Sequence, residues 1–303
     1  VTGDMTRAYL KIQDGCNAFC TYCIIPHARG RSRSMPEKEV INHLEYLDNA
    51  GYKEAVITGI HAGEYGVDFK EKSSLSILFK KINSKKSIHR IRLSSIEPRE
   101  LTDEIIDLAA ENSTLCDHFH ISLQSGDDEI LKKMHRPYDR EFFRNLILKI
   151  HKKAPFTAIG VDILQGFPGE SEQAFENTLS LIKDLPVSYL HVFPFSPRKG
   201  TPAFDYPDKV DQKIIKQRCS IMRKSGDTKK RIFEEKNMGR TIEAVIQGKR
   251  DPGSGMLKAV TSNYLTLLVK GGDECLNKVF NVKIEKADTN NLLYGKIEEK
   301  QNA

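Results

Sequence analysis

The stretch Cys16-Asn17-Ala18-Phe19-Cys20-Thr21-Tyr22-Cys23 places three thiols within eight residues, spaced x3 and then x2. It follows Tyr9-Leu10-Lys11-Ile12, a mostly apolar run that reads as a strand. Three local thiolates can hold three irons of a cubic iron–sulfur cluster and leave the fourth iron open to a small chelating ligand. A structural zinc site is the alternative; it needs four ligands, and His27 is the only nearby candidate for the fourth. A disulfide reading leaves one of the three cysteines unpaired.

The 303 residues suggest two domains and suffice for a sizeable core. Six cysteines, three of them clustered, fit a reducing compartment and a metal role better than a disulfide scaffold. With no apolar segment long enough to span a bilayer and no signal peptide at Val1-Thr2-Gly3-Asp4, the expected location is cytoplasmic, with no membrane partner. Basic charge is concentrated late in the chain: residues 198–237 carry 12 Lys and Arg against 6 Asp and Glu, whereas residues 1–197 carry 25 against 27. Such asymmetry suits a polyanion such as RNA, and equally a solvated, lysine-rich helix.

From Arg7 to Phe195, strand-like and helix-like patterns alternate. Short runs at 55–58, 88–93, 118–123, 159–164 and 189–193 are rich in β-branched and aromatic residues. Helical spacing is clearest at Pro36–Leu47, where Val40, Leu44 and Leu47 share a face; Ser34 is placed to cap it and Gly51 to end it. Similar segments span Glu100–Glu111, Arg140–Lys152 and Ser171–Asp184. With the strand before the cysteines this makes six strands linked by helices, which predicts a parallel sheet with right-handed crossovers. Periodicity does not separate a partial barrel from a doubly wound sheet. In either, the site lies at the C-terminal ends of the strands, where the cysteine loop falls.

The cysteine spacing, with Tyr22 before the last thiol, resembles the signature of the radical S-adenosylmethionine superfamily. The flanks Leu10-Lys11-Ile12-Gln13-Asp14-Gly15, Cys23-Ile24-Ile25-Pro26 and Arg29-Gly30 resemble its methylthiotransferase family. The resemblance implies an α/β fold: an open, partial (β/α)6 barrel over residues 1–204. It also implies a [4Fe–4S] cluster held by Cys16, Cys20 and Cys23, with S-adenosylmethionine on the open iron and Tyr22 among the cofactor-binding candidates. Around it, Gly59 in Thr58-Gly59-Ile60-His61 matches the stretch that holds the methionine amino group. Glu97 either accepts a hydrogen bond from cofactor or substrate or caps the helix that follows. Gln124, in Leu123-Gln124-Ser125-Gly126, is a candidate for the cofactor ribose or the substrate base. Arg136 suits a carboxylate or phosphate, while Lys132 and Lys133 are surface residues. Asp162-Ile163-Leu164-Gln165-Gly166-Phe167-Pro168-Gly169-Glu170 resembles a family block in which Gln165 departs from the usual valine and needs a hydrogen-bond partner. Asp162 is a cofactor-binding candidate, and Glu170 is expected to serve the next helix's N-terminus. Phe195, in Phe193-Pro194-Phe195-Ser196-Pro197-Arg198, is expected near the adenine.

Residues 205–237 read as a linker and a basic helix. Residues 238–303 hold about five short strands separated by turns such as Asp251-Pro252-Gly253 and Gly271-Gly272, which suggests a small β-barrel. This segment resembles the TRAM domain, an OB-like RNA-binding module. It has few aromatics for base stacking, so a reader of backbone and shape is expected.

The similarity is strongest to the branch that modifies N6-threonylcarbamoyladenosine beside the tRNA anticodon. It implies that a reduced cluster, fed by an electron donor, cleaves S-adenosylmethionine to a 5′-deoxyadenosyl radical. The radical removes hydrogen from adenine carbon-2, sulfur is inserted there, and a second S-adenosylmethionine supplies the methyl group. The implied partner is the tRNA anticodon stem-loop. The family's second [4Fe–4S] cluster is held by three cysteines of an N-terminal domain. Cys116, Cys219 and Cys275 are too scattered to replace it and read as buried small hydrophobes, so the chain is expected to be a fragment without that domain. Two alternatives stand beside this reading: methylthiolation of a ribosomal-protein aspartate, and a non-catalytic RNA-binding iron–sulfur protein.

Overall fold

The structure is a computed structural model that describes residues 6–111, 114–288 and 292–298. Two four-stranded sheets make its first part. One holds β1 (Arg7–Asp14), β2 (Arg33–Ser34), β3 (Glu54–Gly59) and β4 (Arg90–Leu93), in the order β2-β1-β3-β4. The other holds β5 (Ser95–Ile96), β6 (His118–Gln124), β7 (Ala158–Gln165) and β8 (Tyr189–Pro194) in sequence order. All pairings are parallel except β1 with β2, and a parallel bridge from Ile91 to Leu115 joins the halves. The six long strands therefore follow one another without the reversal of order that marks a doubly wound sheet. They form a curled half-barrel.

Helices cover one face: α1 (Ile25–Arg29), α2 (Glu37–Asn49), α3 (Leu75–Lys85), α4 (Asp103–Ala110), α5 (Asp128–Lys133), α6 (Arg140–Lys153) and α7 (Glu172–Asp184). Strand alternation explains the division. Ile57, Ile91, Phe119, Ile121, Val161 and Ile163 join the helices in one core. Glu54, Arg90, Arg92, His118, His120 and Asp162 alternate with them and occupy the inner face.

Several local expectations are corrected. Ser34 does not cap α2; its hydroxyl accepts from Gly66 N at 2.9 Å, and Pro36 takes the N-cap position without a side-chain bond. The segment expected at Glu100–Glu111 begins as α4 only at Asp103, because Pro98–Glu100 form a tight 3₁₀ turn. α3 was overlooked, although Leu75, Leu78, Phe79 and Ile82 carry helical spacing and Ser74 accepts from Ile77 N at 3.3 Å. Glu170 does not cap α7, a role taken by Ser171. Its carboxylate accepts from Gly166 N at 2.6 Å and pairs with Arg218 at 3.1 Å.

Arg218 lies on a helix that is part of the half-barrel. α8 (Gln212–Lys236), the basic helix expected after the linker, inserts Ile215, Cys219 and Met222 into the main core, one face at i, i+4 and i+7. Beyond it, β9 (Thr241–Arg250), β10 (Leu257–Thr261), β11 (Thr266–Val269), β12 (Val279–Ala287) and β13 (Leu293–Glu298) close a barrel in the order β10-β11-β13-β12-β9. Its core includes Ile242, Ile246, Leu267, Val282 and Ile284. Among the described residues no helix is long and apolar enough to cross a membrane.

A buried ion cluster docks this barrel on the half-barrel. Glu54, fully buried, receives Arg90 Nε at 2.8 Å and Arg92 Nε at 2.9 Å. The same guanidinium groups donate to barrel carbonyls, Arg90 to Val260 at 2.8 Å and Arg92 to Thr261 at 3.0 Å and Ser262 at 2.8 Å. Burial favours a neutral Glu54, but Arg92 and Arg90 overcome it and hold the carboxyl at about 2, against an ordinary 4.5. A depressed acid stabilises the fold above its unfolded value. This contribution is therefore full above about pH 5 and disappears as pH falls through about 2. Glu54→Ala leaves Arg92 without its carboxylate and Arg90 with only Glu243 at 3.6 Å, an expected cost of about 3–5 kcal/mol. Hydrogen exchange at residues 260–262 should rise with it; unchanged protection would show that the cluster does not dock the barrel.

The family departure at Gln165 also has a consequence. Neither its Nε2 nor its Oε1 finds a partner among the described residues, and the residue is fully buried. Gln165→Val removes two unsatisfied polar atoms, so stability is expected to rise by about 1–2 kcal/mol in a urea titration.

Candidate metal centre

The cysteine loop leaves the C-terminal end of β1 and is held by hydrogen bonds on both sides. Gln13, 2 % exposed, holds it from below: Nε2 donates to Gly15 O and Ser32 Oγ at 2.8 Å, and Oε1 accepts from His61 N at 2.8 Å. One amide thus ties the ends of β1 and β3 to the loop. Gly15 has φ +74°, and a Cβ there would fall on the carbonyl oxygen of Arg31. Cys16 N donates to Gly30 O at 3.1 Å. On the far side, Thr21 N donates to Met134 O at 3.2 Å and Thr21 O accepts from Ala203 N at 2.9 Å.

Cys20 is buried, and Cys16 and Cys23 are half-buried. Burial pushes the Cys20 thiol up to about 11; Arg136 opposes this, while Glu97, Cys23 and Cys16 add to it. Burial likewise raises Cys23. Cys16 and Cys23 lie near enough to Cys20 to raise it, and a cationic centre would favour the thiolates of Cys20 and Cys23. Three soft donors on a rigid loop fit an iron–sulfur cluster.

Three sequence candidates form one unit beside the thiols. Arg136 donates through Nη1 to Glu97 Oε2 at 2.6 Å and through Nη2 to the Tyr22 hydroxyl at 2.5 Å. Glu97 is therefore an ion-pair partner, and its side chain caps no helix. Arg136 Nε is a buried donor with no partner among the described residues, which leaves one position for an acceptor atom of a cofactor. Tyr22 packs edge-on against Phe167, with ring centroids 6.3 Å apart, and Phe167 meets Phe195 at 5.5 Å. Phe195 is 8 % exposed, so it lies within an apolar cluster and not on an open rim. Gly59 ends β3 against Ala62 and Gln13, where a Cβ would lie 3.0 Å from each. Gln124 ends β6 at φ +66°, an unusual conformation for a side chain with a Cβ.

Asp162 belongs to a different group. Its Oδ1 lies 2.6 Å from His120 Nε2 and 3.5 Å from His191 Nδ1. Burial favours the acid form, but both imidazoles hold the carboxyl at about 2.

Sequence reading overlooked Gln13, His120, His191 and the role of His61. His61 Nδ1 lies 3.2 Å from Cys16 Sγ, and its Nε2 lies 2.5 Å from Glu100 Oε1. His27, the candidate fourth zinc ligand, is exposed and packs edge-on against Phe19. The usable signal was polar residues on alternate positions of strands expected to be buried, as in His118-Phe119-His120.

A sequence profile of the Radical SAM superfamily matches residues 10–182, more than half of the chain. The chain belongs to the radical SAM superfamily. It is 40% identical over 286 residues to the threonylcarbamoyladenosine tRNA methylthiotransferase MtaB of Bacillus subtilis, covering 94% of this chain and 63% of that protein. It is 35% identical over 292 residues to a tRNA-2-methylthio-N(6)-dimethylallyladenosine synthase of Clostridium botulinum, covering 94% and 64%. The chain thus spans just under two thirds of the length of these relatives. Among solved structures, the radical S-adenosylmethionine methyltransferase TsrM from Kitasatospora setae, with cobalamin and a [4Fe-4S] cluster bound, aligns at TM-score 0.55 and 18% identity. That alignment covers 65% of this chain and 38% of TsrM. Coproporphyrinogen III oxidase from Escherichia coli aligns at TM-score 0.52 and 16% identity, covering 74% and 54%. These likenesses extend to the fold. The cofactors of this superfamily, a [4Fe–4S] cluster and S-adenosylmethionine, agree with the donor set of the cysteine loop.

Gly15→Ala is expected to abolish retention of the cluster while the rest of the chain folds. Iron and sulfide analysis after reconstitution reads this, with circular dichroism as the control; full iron content in the variant would contradict the account of the loop.

Proposed function

We propose that this protein is a radical SAM methylthiotransferase of tRNA, acting on adenine carbon-2 of N6-threonylcarbamoyladenosine beside the anticodon. The observation that carries the reading is the three-thiol loop with the Tyr22–Arg136–Glu97 unit at the strand C-termini, in a chain 40% identical to a protein named for that substrate. When bound, cluster and S-adenosylmethionine supply one-electron chemistry able to remove hydrogen from an unactivated carbon. The chain's own residues bind, orient and shield. Cys16, Cys20 and Cys23 would hold the cluster. Arg136, with two of its donors already engaged, offers Nε to a cofactor acceptor. Gly59 brings backbone close to the methionine end, and Gln124 offers an amide to ribose or base. Phe167, Phe195 and Tyr206 form an apolar floor that excludes water.

In this reading residues 1–204 are the partial (β/α)6 barrel, 205–237 the basic helical segment and 238–303 a TRAM-like module. An OB-like identity for the module is supported by strand order: the third and fifth strands, β11 and β13, pair in parallel while the others pair antiparallel. The tRNA would be held by backbone contacts to the basic C-terminal third, and a cytoplasmic electron donor would reduce the cluster. Insertion of sulfur, and the second cluster associated with it, are assigned to the whole protein.

Two measurements test this. Cys20→Ala is expected to abolish 5′-deoxyadenosine formation by the reconstituted, reduced protein while tRNA binding persists; wild-type protein that forms none would sink the radical chemistry. Mass spectrometry of tRNA nucleosides from a deletion strain is expected to show loss of the methylthio group from threonylcarbamoyladenosine. Loss from dimethylallyladenosine instead would move the protein to the other relatives' substrate, and intact tRNA would favour a protein substrate.

A further inference from the structure

The inner face of the half-barrel carries a second set of ligand-type side chains, separate in composition from the cysteine loop. We propose that His120, Asp162 and His191 bind a single divalent transition-metal ion of the zinc or ferrous class. The site is independent of which nucleoside the enzyme modifies.

Three adjacent strands build it. Ser122, Asp162 and His191 stand in register across β6, β7 and β8, and His120 lies two residues earlier on the same face of β6. One ligand atom from each of His120, Asp162 and His191 lies within 4.8 Å of the others. The carboxylate is the common point, with Oδ1 2.6 Å from His120 Nε2 and 3.5 Å from His191 Nδ1. Two donors on one tetrahedral ion, each at about 2.0–2.2 Å, stand roughly 3.4 Å apart; the His191–Asp162 contact already has that spacing, and the His120–Asp162 hydrogen bond would lengthen to reach it. Two imidazoles and one carboxylate form a set that leaves coordination positions open.

The surroundings fix these donors as a metal site requires. His120 Nδ1 lies 3.1 Å from the Tyr189 hydroxyl, which is also 2.8 Å from His118 Nε2, so the ring is held with Nε2 towards Asp162. A ligating histidine ordinarily has such an outer contact on its other nitrogen. Ser122 Oγ lies 3.5 Å from Asp162 Oδ2 and leaves Oδ1 to the imidazoles. His191 is exposed and, with Tyr189, borders a cleft of about 680 Å³ between β8, α8 and the barrel, so the cluster is open to solvent on the His191 side. The open positions would take an anionic oxygen donor or water. A hydrogen-bonded His–Asp–His cluster without an ion is the competing account.

Equilibrium dialysis of the cluster-loaded chain against zinc, read by elemental analysis, is expected to give one saturable zinc per chain beyond the cluster. Asp162→Asn and His191→Ala should weaken it at least tenfold, and Tyr189→Phe by about tenfold through its outer contact. His191 is exposed, so its variant is expected to keep the wild-type circular dichroism spectrum. Cobalt added to the chain with all three loop cysteines changed to alanine should give visible bands of a nitrogen and oxygen site, without sulfur-to-cobalt charge transfer. Absence of saturable zinc, or zinc binding that His191→Ala leaves unchanged, overturns the site.

Discussion

Three thiols on one short loop are useful only if the loop cannot relax away from them, and the buried amide of Gln13 imposes that constraint. It spans the ends of β1 and β3 and the start of the loop, giving two donor contacts at 2.8 Å and accepting a third bond. Gln13 is buried, so each of these bonds would be costly to leave unmade. Gly15 then permits an approach to Arg31 that no side chain allows. The far end of the loop is held separately, by the backbone of Thr21 against Met134 and Ala203 and by Tyr22 against Arg136 and Phe167.

At the opposite end of the strands a different solution holds the molecule together. Glu54, Arg90 and Arg92 would be a liability in an apolar interior. Here the two guanidinium groups satisfy the carboxylate and the carbonyls of Val260, Thr261 and Ser262 together. Such a cluster adds little net stability over a well-packed apolar one, yet it fixes orientation, because only one docking of the barrel satisfies every donor. Tyr264 extends the contact, with its ring 4.4 Å from that of His118 and Arg92 4.9 Å above it. The inner face thus has an anchored cofactor rim at one end, a closed floor at the other and a polar wall between.

Much of this was legible in the residues. The cysteine spacing, the alternation of strands and helices and the five short C-terminal strands all rest on local patterns. The six long strands are legible as short runs rich in apolar, β-branched and aromatic residues. The failures have physical causes too. Ser34 and Glu170 have good capping chemistry, but Gly66 and Arg218, distant in sequence, offered them better partners. α8 looked basic and solvated because its buried face amounts to a few residues among many charges.

The sequence by itself determined the thiol set, the parallel α/β order and the family to which the chain belongs, since these depend on spacing within a few residues. Only the tertiary structure decided that Glu97, Tyr22 and Arg136 are one unit, that Phe195 is buried, and that Asp162 stands with His120 and His191. Those groupings join residues 29–114 positions apart in the chain. No local periodicity encodes them, because strand register and the curl of the sheet set which side chains meet.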